Sequence, residues 1–175
     1  IGCGTNSWWN QSRLDTYDTD KPLYICEGEK DDLTLYCSGF QSITQSGGVM
    51  SIPRLNKTEY DLLWLYKFTD IYIAYDNDIY GSDGAKKLAD EILKLFPNKK
   101  IHIIQWDKNL PKGFDIYDTF EKDADASEFF NACANHIEIE KKVDIKKRKG
   151  LKMWKLNEFL KQEYDPTIPI VDNLV

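Results

Sequence analysis

The chain has 175 residues, a net charge of −6, and 42% hydrophobic and 13% aromatic residues. That length suggests one domain with an appendage, and that apolar content excludes a mostly disordered chain. No apolar run approaches the roughly 18 residues of a membrane span, and no signal peptide is visible, so a cytoplasmic protein without a membrane partner is expected.

The four cysteines, Cys3, Cys26, Cys37 and Cys133, form no Cys-x-x-Cys pair. This speaks against zinc or redox motifs and for a reducing compartment. Cys26 and Cys37 sit in apolar surroundings and are expected to be buried thiols. The acidic balance argues against a self-sufficient nucleic-acid binder, but the charge is uneven. Lys141 to Lys155 holds eight Lys/Arg against one Asp, a net +7 inside a chain of net −6, which leaves −13 on the rest. Such a run is either a solvated face or linker, or a phosphate contact made by Lys146, Lys147, Arg148 and Lys149.

Taken in order, residues 1–20 form an N-terminal extension with no firm helix, whose Trp8-Trp9 pair is expected to pack on the main domain. Leu23 to Cys26 reads as the first strand. Lys30 to Ser38 reads as a helix ended by Gly39. Ser42 to Thr44 reads as a short second strand. Ser46-Gly47-Gly48 follows as a loop, either a plain turn or a place where backbone approaches a phosphate. Lys57 to Phe68 reads as a helix with an apolar face of Leu62, Leu63, Leu65 and Tyr66. Ile71 to Tyr75 is a β-branched and aromatic run that reads as a buried third strand.

Ser82 to Phe96 carries Ala85, Leu88, Ala89, Ile92, Leu93 and Phe96 at i, i+3, i+4 spacing, an amphipathic helix stopped by Pro97. Ile101 to Trp106 reads as a fourth strand, and Asp123 to Asn135 as a helix with Phe129, Phe130 and Cys133 inward. His102 and His136 have no partner in the sequence and read as structural. The alternation predicts an α/β fold with a mostly parallel four-stranded sheet flanked by helices. The predicted organisation is a main domain over residues 21–120, a helical and basic segment over 121–155, and a connector over 156–175. The start at Ile1 and the apolar end suggest a fragment whose natural chain continues into another domain.

Two strand ends carry the chemistry. The third strand stops in Asp76-Asn77-Asp78, and the first in Glu27-Gly28-Glu29-Lys30-Asp31. Open α/β sheets bind ligands outside the carboxyl ends of their strands, so Glu27, Asp76 and Asp78 are expected to face one crevice. Adjacent carboxylates repel and resist desolvation, and a hard cation such as Mg²⁺ or Mn²⁺ relieves both costs. The alternative for Asp-x-Asp alone is a polar turn that caps the next helix.

The acidic Glu-Gly-Glu-x-Asp pattern, about fifty residues and then Asp-Asn-Asp resemble the Toprim domain, which is shared by bacterial and phage primases, topoisomerases and some nucleases. The likeness covers roughly Lys21 to Thr119 and is strongest to phage-type and mitochondrial primase–helicases. The resemblance implies a Rossmann-like Toprim fold in which Glu27, Asp76 and Asp78 are catalytic and hold Mg²⁺ or Mn²⁺, with Asp31 as a further acidic position. It implies primer synthesis by nucleotidyl transfer in DNA replication, with DNA, nucleotides and other primase or helicase domains as partners.

Lys30 either touches a phosphate or is an exposed lysine at a helix start. Gly113-Phe114-Asp115 resembles a later primase segment. The chain departs from a complete primase in lacking a basic template-binding subdomain and a zinc domain before the Toprim region, so alone it is expected to be inactive. The alternatives are a Toprim nuclease and a non-catalytic module that binds nucleic acid or protein.

Overall fold

The structure is a computed structural model that describes residues 8–51, 62–122 and 125–140, with only the backbone of residues 50 and 51. These residues all belong to the first of two units, Ile1–Val143. The basic run, the connector over 156–175 and the first half of the expected Lys57–Phe68 helix lie outside the described residues.

The four central strands are short runs most of whose residues are buried, whereas the two edge strands are partly exposed. The strands are β1 (Trp8–Trp9), β2 (Leu23–Cys26), β3 (Ser42–Gln45), β4 (Asp70–Ala74), β5 (Lys100–Ile103) and β6 (Ile137–Ile139). They form one sheet in the order β1-β3-β2-β4-β5-β6. The inner four pair in parallel, and β1 and β6 close the edges antiparallel. The sheet thus has six strands where four are expected from sequence. The four expected ones form its parallel centre, and the two extra strands are too short, at two and three residues, to show a period of two.

The helices are α1 (Glu29–Cys37), α2 (Ile79–Leu95), α3 (Ile116–Lys122) and α4 (Ser127–Ala134). Alternation along the strands divides the core into two layers. Leu23, Ile25, Ile71, Ile73, Ile101 and Ile103 face Ala85, Leu88, Ala89 and Ile92 of α2. Cys26, Ala74 and Ile104 face Leu35 of α1, Ile116 of α3 and Phe129 and Ala132 of α4, with Tyr24 and Tyr72 against the same layer. Leu88 and Ile92 are 0% exposed, and burying a side chain of this size stabilises by about 1.5–3 kcal/mol. That apolar stripe, more than helix propensity, holds α2 to the sheet.

Several boundaries move. α2 starts three residues earlier than its apolar period suggests, because Asp78 caps it: Gly81 N–H donates to Asp78 Oδ1 at 2.8 Å. α1 ends in the expected way, with Gly39 at φ +88° just past its last turn. α3 is a helix that the sequence reading leaves out. Phe130 and Cys37, both expected inside, are exposed. Phe129 takes the inward position of the short helix α4, and Cys37 is the last residue of α1, turned outward. Trp8 is buried and Trp9 is not, as alternation in an edge strand requires. Among the described residues no helix is long and apolar enough to cross a membrane.

A buried ion pair pins the N-terminal segment. Asp32, 0% exposed, accepts from Arg13 Nη1 at 3.0 Å and from the Ser42 hydroxyl at 2.8 Å. Arg13 lies in the 3₁₀ turn Gln11–Asp15, so this contact ties the chain before β2 to α1 and β3.

Candidate metal centre at the strand ends

The parallel register brings β2 and β4 to the same rim. Cys26 lies opposite Ala74, so the next residues, Glu27 and Tyr75-Asp76, leave the sheet side by side. Glu27 Oε2 accepts from the Asp76 backbone N–H at 3.3 Å. Glu27 and Asp76, predicted from sequence to meet, are brought together.

α1 starts immediately after Gly28 and carries Asp31 into the same place. Asp31 is 5% exposed. Its Oδ1 accepts from Tyr117 N–H at 3.1 Å, so it also serves the first turn of α3. The neighbouring Asp32, about 100° further round the helix, points instead toward Arg13.

Of the two roles that the sequence left open for Asp78, the cap is the one formed here. Its Oδ1 is committed to the cap of α2, which leaves Oδ2 for any ligand at the rim. The intervening Asn77 holds the turn in place: its Nδ2 donates to the carbonyls of Leu110 and Pro111 at 3.3 and 3.1 Å, and its backbone pairs with Phe114 and Gly113. Gly81 lets this turn sit on the helix, since a Cβ there would lie 2.4 Å from the Asp76 carbonyl oxygen.

The Asn77 tether delivers a further carboxylate. Asp115 follows directly on Phe114, caps Asp118 N–H at 2.7 Å and pairs with Lys30 Nζ at 2.9 Å. The Lys30 ammonium also lies 4.3 Å from the centre of the Tyr117 ring. Lys30 is an exposed lysine at the start of α1, as one of its two sequence readings has it, and its ammonium faces Asp115. The sequence marks Asp115 through the likeness of Gly113-Phe114-Asp115 to a later primase segment, and not as a member of this group. The Gly47-Gly48 loop also borders the rim, because a Cβ on Gly48 would stand 3.4 Å from the Glu27 carbonyl oxygen.

Crowding has an electrostatic cost. Burial, then the charges of Glu27, Asp31, Asp115 and Asp78, push the Asp76 carboxyl up to about 8. Burial and then Asp115 push Asp31 up to about 6. Burial also raises Glu27, against the opposing effect of the hydrogen bond from Asp76 N–H. A cleft of about 190 Å³ opens beside the group, lined by Asp76, Asp78, Ser82, Gln105, Trp106 and Lys108. Lys108 is a cation that the sequence reading passes over.

These residues suit a hard divalent ion. The donors are all carboxylate oxygens, the group is negatively charged beyond what Lys30 offsets, and three of its members, Glu27, Asp31 and Asp76, hold protons more tightly than ordinary carboxyls do. A bound cation would replace those protons. The positions of Lys146, Lys147, Arg148 and Lys149 lie outside the described residues.

A parallel α/β sheet with an acidic rim at β2 and β4, Glu27 on one strand end and Asp76-x-Asp78 on the next, is the arrangement of a Toprim module. The family model described as Toprim-like matches residues 24–117, and the chain belongs to that family. No curated protein matches the chain in sequence. The fold is similar to several solved primase structures. One is a bacteriophage T7 lagging-strand DNA polymerase assembly with primase domains bound to an RNA/DNA hybrid and dTTP, at 18% identity over 69% of this chain and 57% of that one, TM-score 0.52. Another is the primase fragment of the bacteriophage T7 primase–helicase, at 17% identity over 68% and 46%, TM-score 0.51. A third is a DNA primase domain from Pseudomonas aeruginosa, at 16% identity over 73% and 37%, TM-score 0.53. The chain thus spans less than two thirds of each, and at these identities the likeness speaks to the fold.

Proposed function

We propose that this chain is the catalytic Toprim module of a DNA primase, in which Glu27, Asp76 and Asp78, helped by Asp31, hold Mg²⁺ or Mn²⁺ for nucleotidyl transfer during primer synthesis. The observation that carries the proposal is the convergence of Glu27, Asp31, Asp76 and Asp115 on one rim with Asp76 pushed up to about 8. Carboxylates so crowded are poor neighbours for one another and good hosts for a hard cation.

When bound, the metal would neutralise charge on the nucleotide's phosphates as the primer 3′-hydroxyl attacks and pyrophosphate leaves. The chain's own residues prepare that event. Asn77 fixes the Asp76–Asp78 turn, Asp78 aligns it with α2, and the Glu27 side chain fixes the Asp76 backbone. Lys108 lies in the adjoining cleft, where it can meet a phosphate.

The domain plan follows the same reading: residues 21–120 form the Toprim domain, 121–155 a helical and basic segment that contacts nucleic acid, and 156–175 a connector to further primase or helicase domains. The partners are then DNA and nucleotides, in the cytoplasm.

Calorimetric titration with Mn²⁺ tests the metal site. Wild type is expected to bind, and Asp76→Asn, Asp78→Asn and Glu27→Gln to lose the site. Equal binding by wild type and Asp76→Asn would remove the catalytic reading. Template-directed synthesis of short oligonucleotides, measured with the flanking domains present, then separates a primase from a nuclease, which would instead degrade the template.

A further inference from the structure

A second cluster of metal-ligating side chains lies away from the acidic rim. His102 on β5, His136 just before β6 and Glu138 on β6 each present a ligand atom, and these atoms lie within 4.8 Å of one another. His102 pairs across the sheet with Tyr72 and Glu138. Tyr72 stands four residues before Asp76, roughly 13 Å along the strand at about 3.3 Å per residue. The two groups are therefore separate.

His102 is the anomaly. It is 6% exposed, and neither of its ring nitrogens has a hydrogen-bond partner among the described residues. Buried polar atoms are ordinarily satisfied, and leaving one unmade is costly. Its Nδ1 lies 3.9 Å from Glu138 Oε2 and its Nε2 3.6 Å from Asp70 Oδ1, both outside hydrogen-bond reach. The ring is held in plane by stacking on Tyr72, with centroids 4.5 Å apart. His136 stands perpendicular to it at the same centroid distance. The His136 Nδ1 lies 2.8 Å from the Cys133 carbonyl oxygen. A nitrogen facing a carbonyl must donate, so the lone pair of His136 is on Nε2. Metal-binding histidines are oriented in this way, with the other ring nitrogen donating to a backbone carbonyl or a carboxylate.

We propose that His102, His136 and Glu138 form a site for a borderline transition ion of the Zn²⁺ class, which clamps the edge strand β6 to the centre of the sheet. Two imidazoles and one carboxylate are a donor set for such an ion and not for Mg²⁺. Bonds of about 2.0–2.2 Å at tetrahedral angles put any two ligand atoms about 3.3–3.6 Å apart, so the set, whose atoms lie within 4.8 Å of one another, must draw in by up to roughly 1.5 Å. Glu138 is exposed and can supply that movement. Its Oε2 turns to the ion while its Oε1 stays with Lys100, 3.3 Å away. Asp70 then orients His102 from the far side, as a carboxylate behind a histidine ligand does.

Substitution with Co²⁺ tests the site on the full chain. Co²⁺ added to the wild type is expected to give the visible ligand-field bands of a four-coordinate nitrogen and oxygen site, with no thiolate charge-transfer band in the near ultraviolet. One equivalent of Zn²⁺ should displace it and raise the melting temperature. His136→Ala and Glu138→Gln, both at accessible positions, should abolish the bands while keeping the wild-type circular dichroism. Asp70→Asn should weaken binding by roughly 10–100-fold. Asp76→Asn should leave the bands unchanged, so this site and the acidic rim are tested independently. Absent bands in the folded wild type, bands retained in His136→Ala, or a thiolate band would each overturn the proposal.

Discussion

Asp76 is the carboxylate on which the rim's burial and charge converge. Its carboxyl is pushed from an ordinary value of 3.8 up to about 8 by burial and by four neighbouring acids. A carboxyl raised in the folded state binds its proton more tightly there than in the unfolded chain. Its stabilising contribution is complete below the unfolded value and is lost as pH rises through about 8. Without metal, the melting temperature should therefore fall as pH rises from about 5 to about 9, and Asp76→Asn should flatten that profile. Saturating Mg²⁺ should reverse the trend, because deprotonation favours the bound ion. Melting curves at several pH values, with and without Mg²⁺, give all three comparisons. A profile that Asp76→Asn leaves unchanged would show that the proton resides elsewhere.

At the scale of elements, the join between the Asp76–Asp78 turn and α2 is the sensitive point. Gly81→Ala would gain up to about 1 kcal/mol of helix propensity. It would also drive a Cβ to 2.4 Å from the Asp76 carbonyl oxygen, a backbone atom that cannot rotate aside. Overpacking of this kind costs about 1–3 kcal/mol, so the steric effect wins. A lower urea midpoint with weaker Mn²⁺ binding is expected.

The α1 end carries a different liability. Arg13→Met leaves Asp32 buried beside Ser42 without its cation, which costs about 3–5 kcal/mol for buried pairs. Replacing both members with apolar residues should recover much of that loss, and a double-mutant cycle in urea measures the coupling.

The elements also show what could be read in advance. The central strands and α2 were legible from local pattern: short runs bounded by turn residues, two of them ended by acids, and an apolar stripe from Ala85 to Leu93. Glu27 and Asp76 were legible as a pair because parallel strands must bring their carboxyl ends to one rim. Asp115 was only half legible, since its place depends on Asn77 holding the 107–115 loop, a tertiary contact with no local signature. The edge strands were not legible, being shorter than any period. Nor was the His102–His136–Glu138 group, whose members meet only through the antiparallel return of β6. Phe130 misled because an eight-residue helix offers two adjacent aromatics and only one inward place.

For the whole molecule, charge distribution is uneven: a net +7 segment within a chain of net −6. On the proposed function, that segment is where a single strand would gain most of its affinity. Neutralising Lys146, Lys147, Arg148 and Lys149 should weaken binding to single-stranded DNA. It should also flatten the dependence of log affinity on log salt by about 0.7 for each phosphate no longer neutralised. Fluorescence anisotropy across a salt series measures that slope, and an unchanged slope would return the segment to a solvated linker.

The sheet's borders carry one more implication. β1 offers two residues and β6 three, and β6 is flanked by Lys100, Glu138 and Glu140 in ion pairs. An open ladder of unpaired peptide groups is a template on which foreign strands can grow, and stubby or charged borders deny it length. Concentrated solutions of the folded protein should accordingly resist seeding into cross-β fibres. Loosening β6 would give up that protection by baring the four-residue flank of β5, so whatever fastens this short ribbon also guards colloidal solubility.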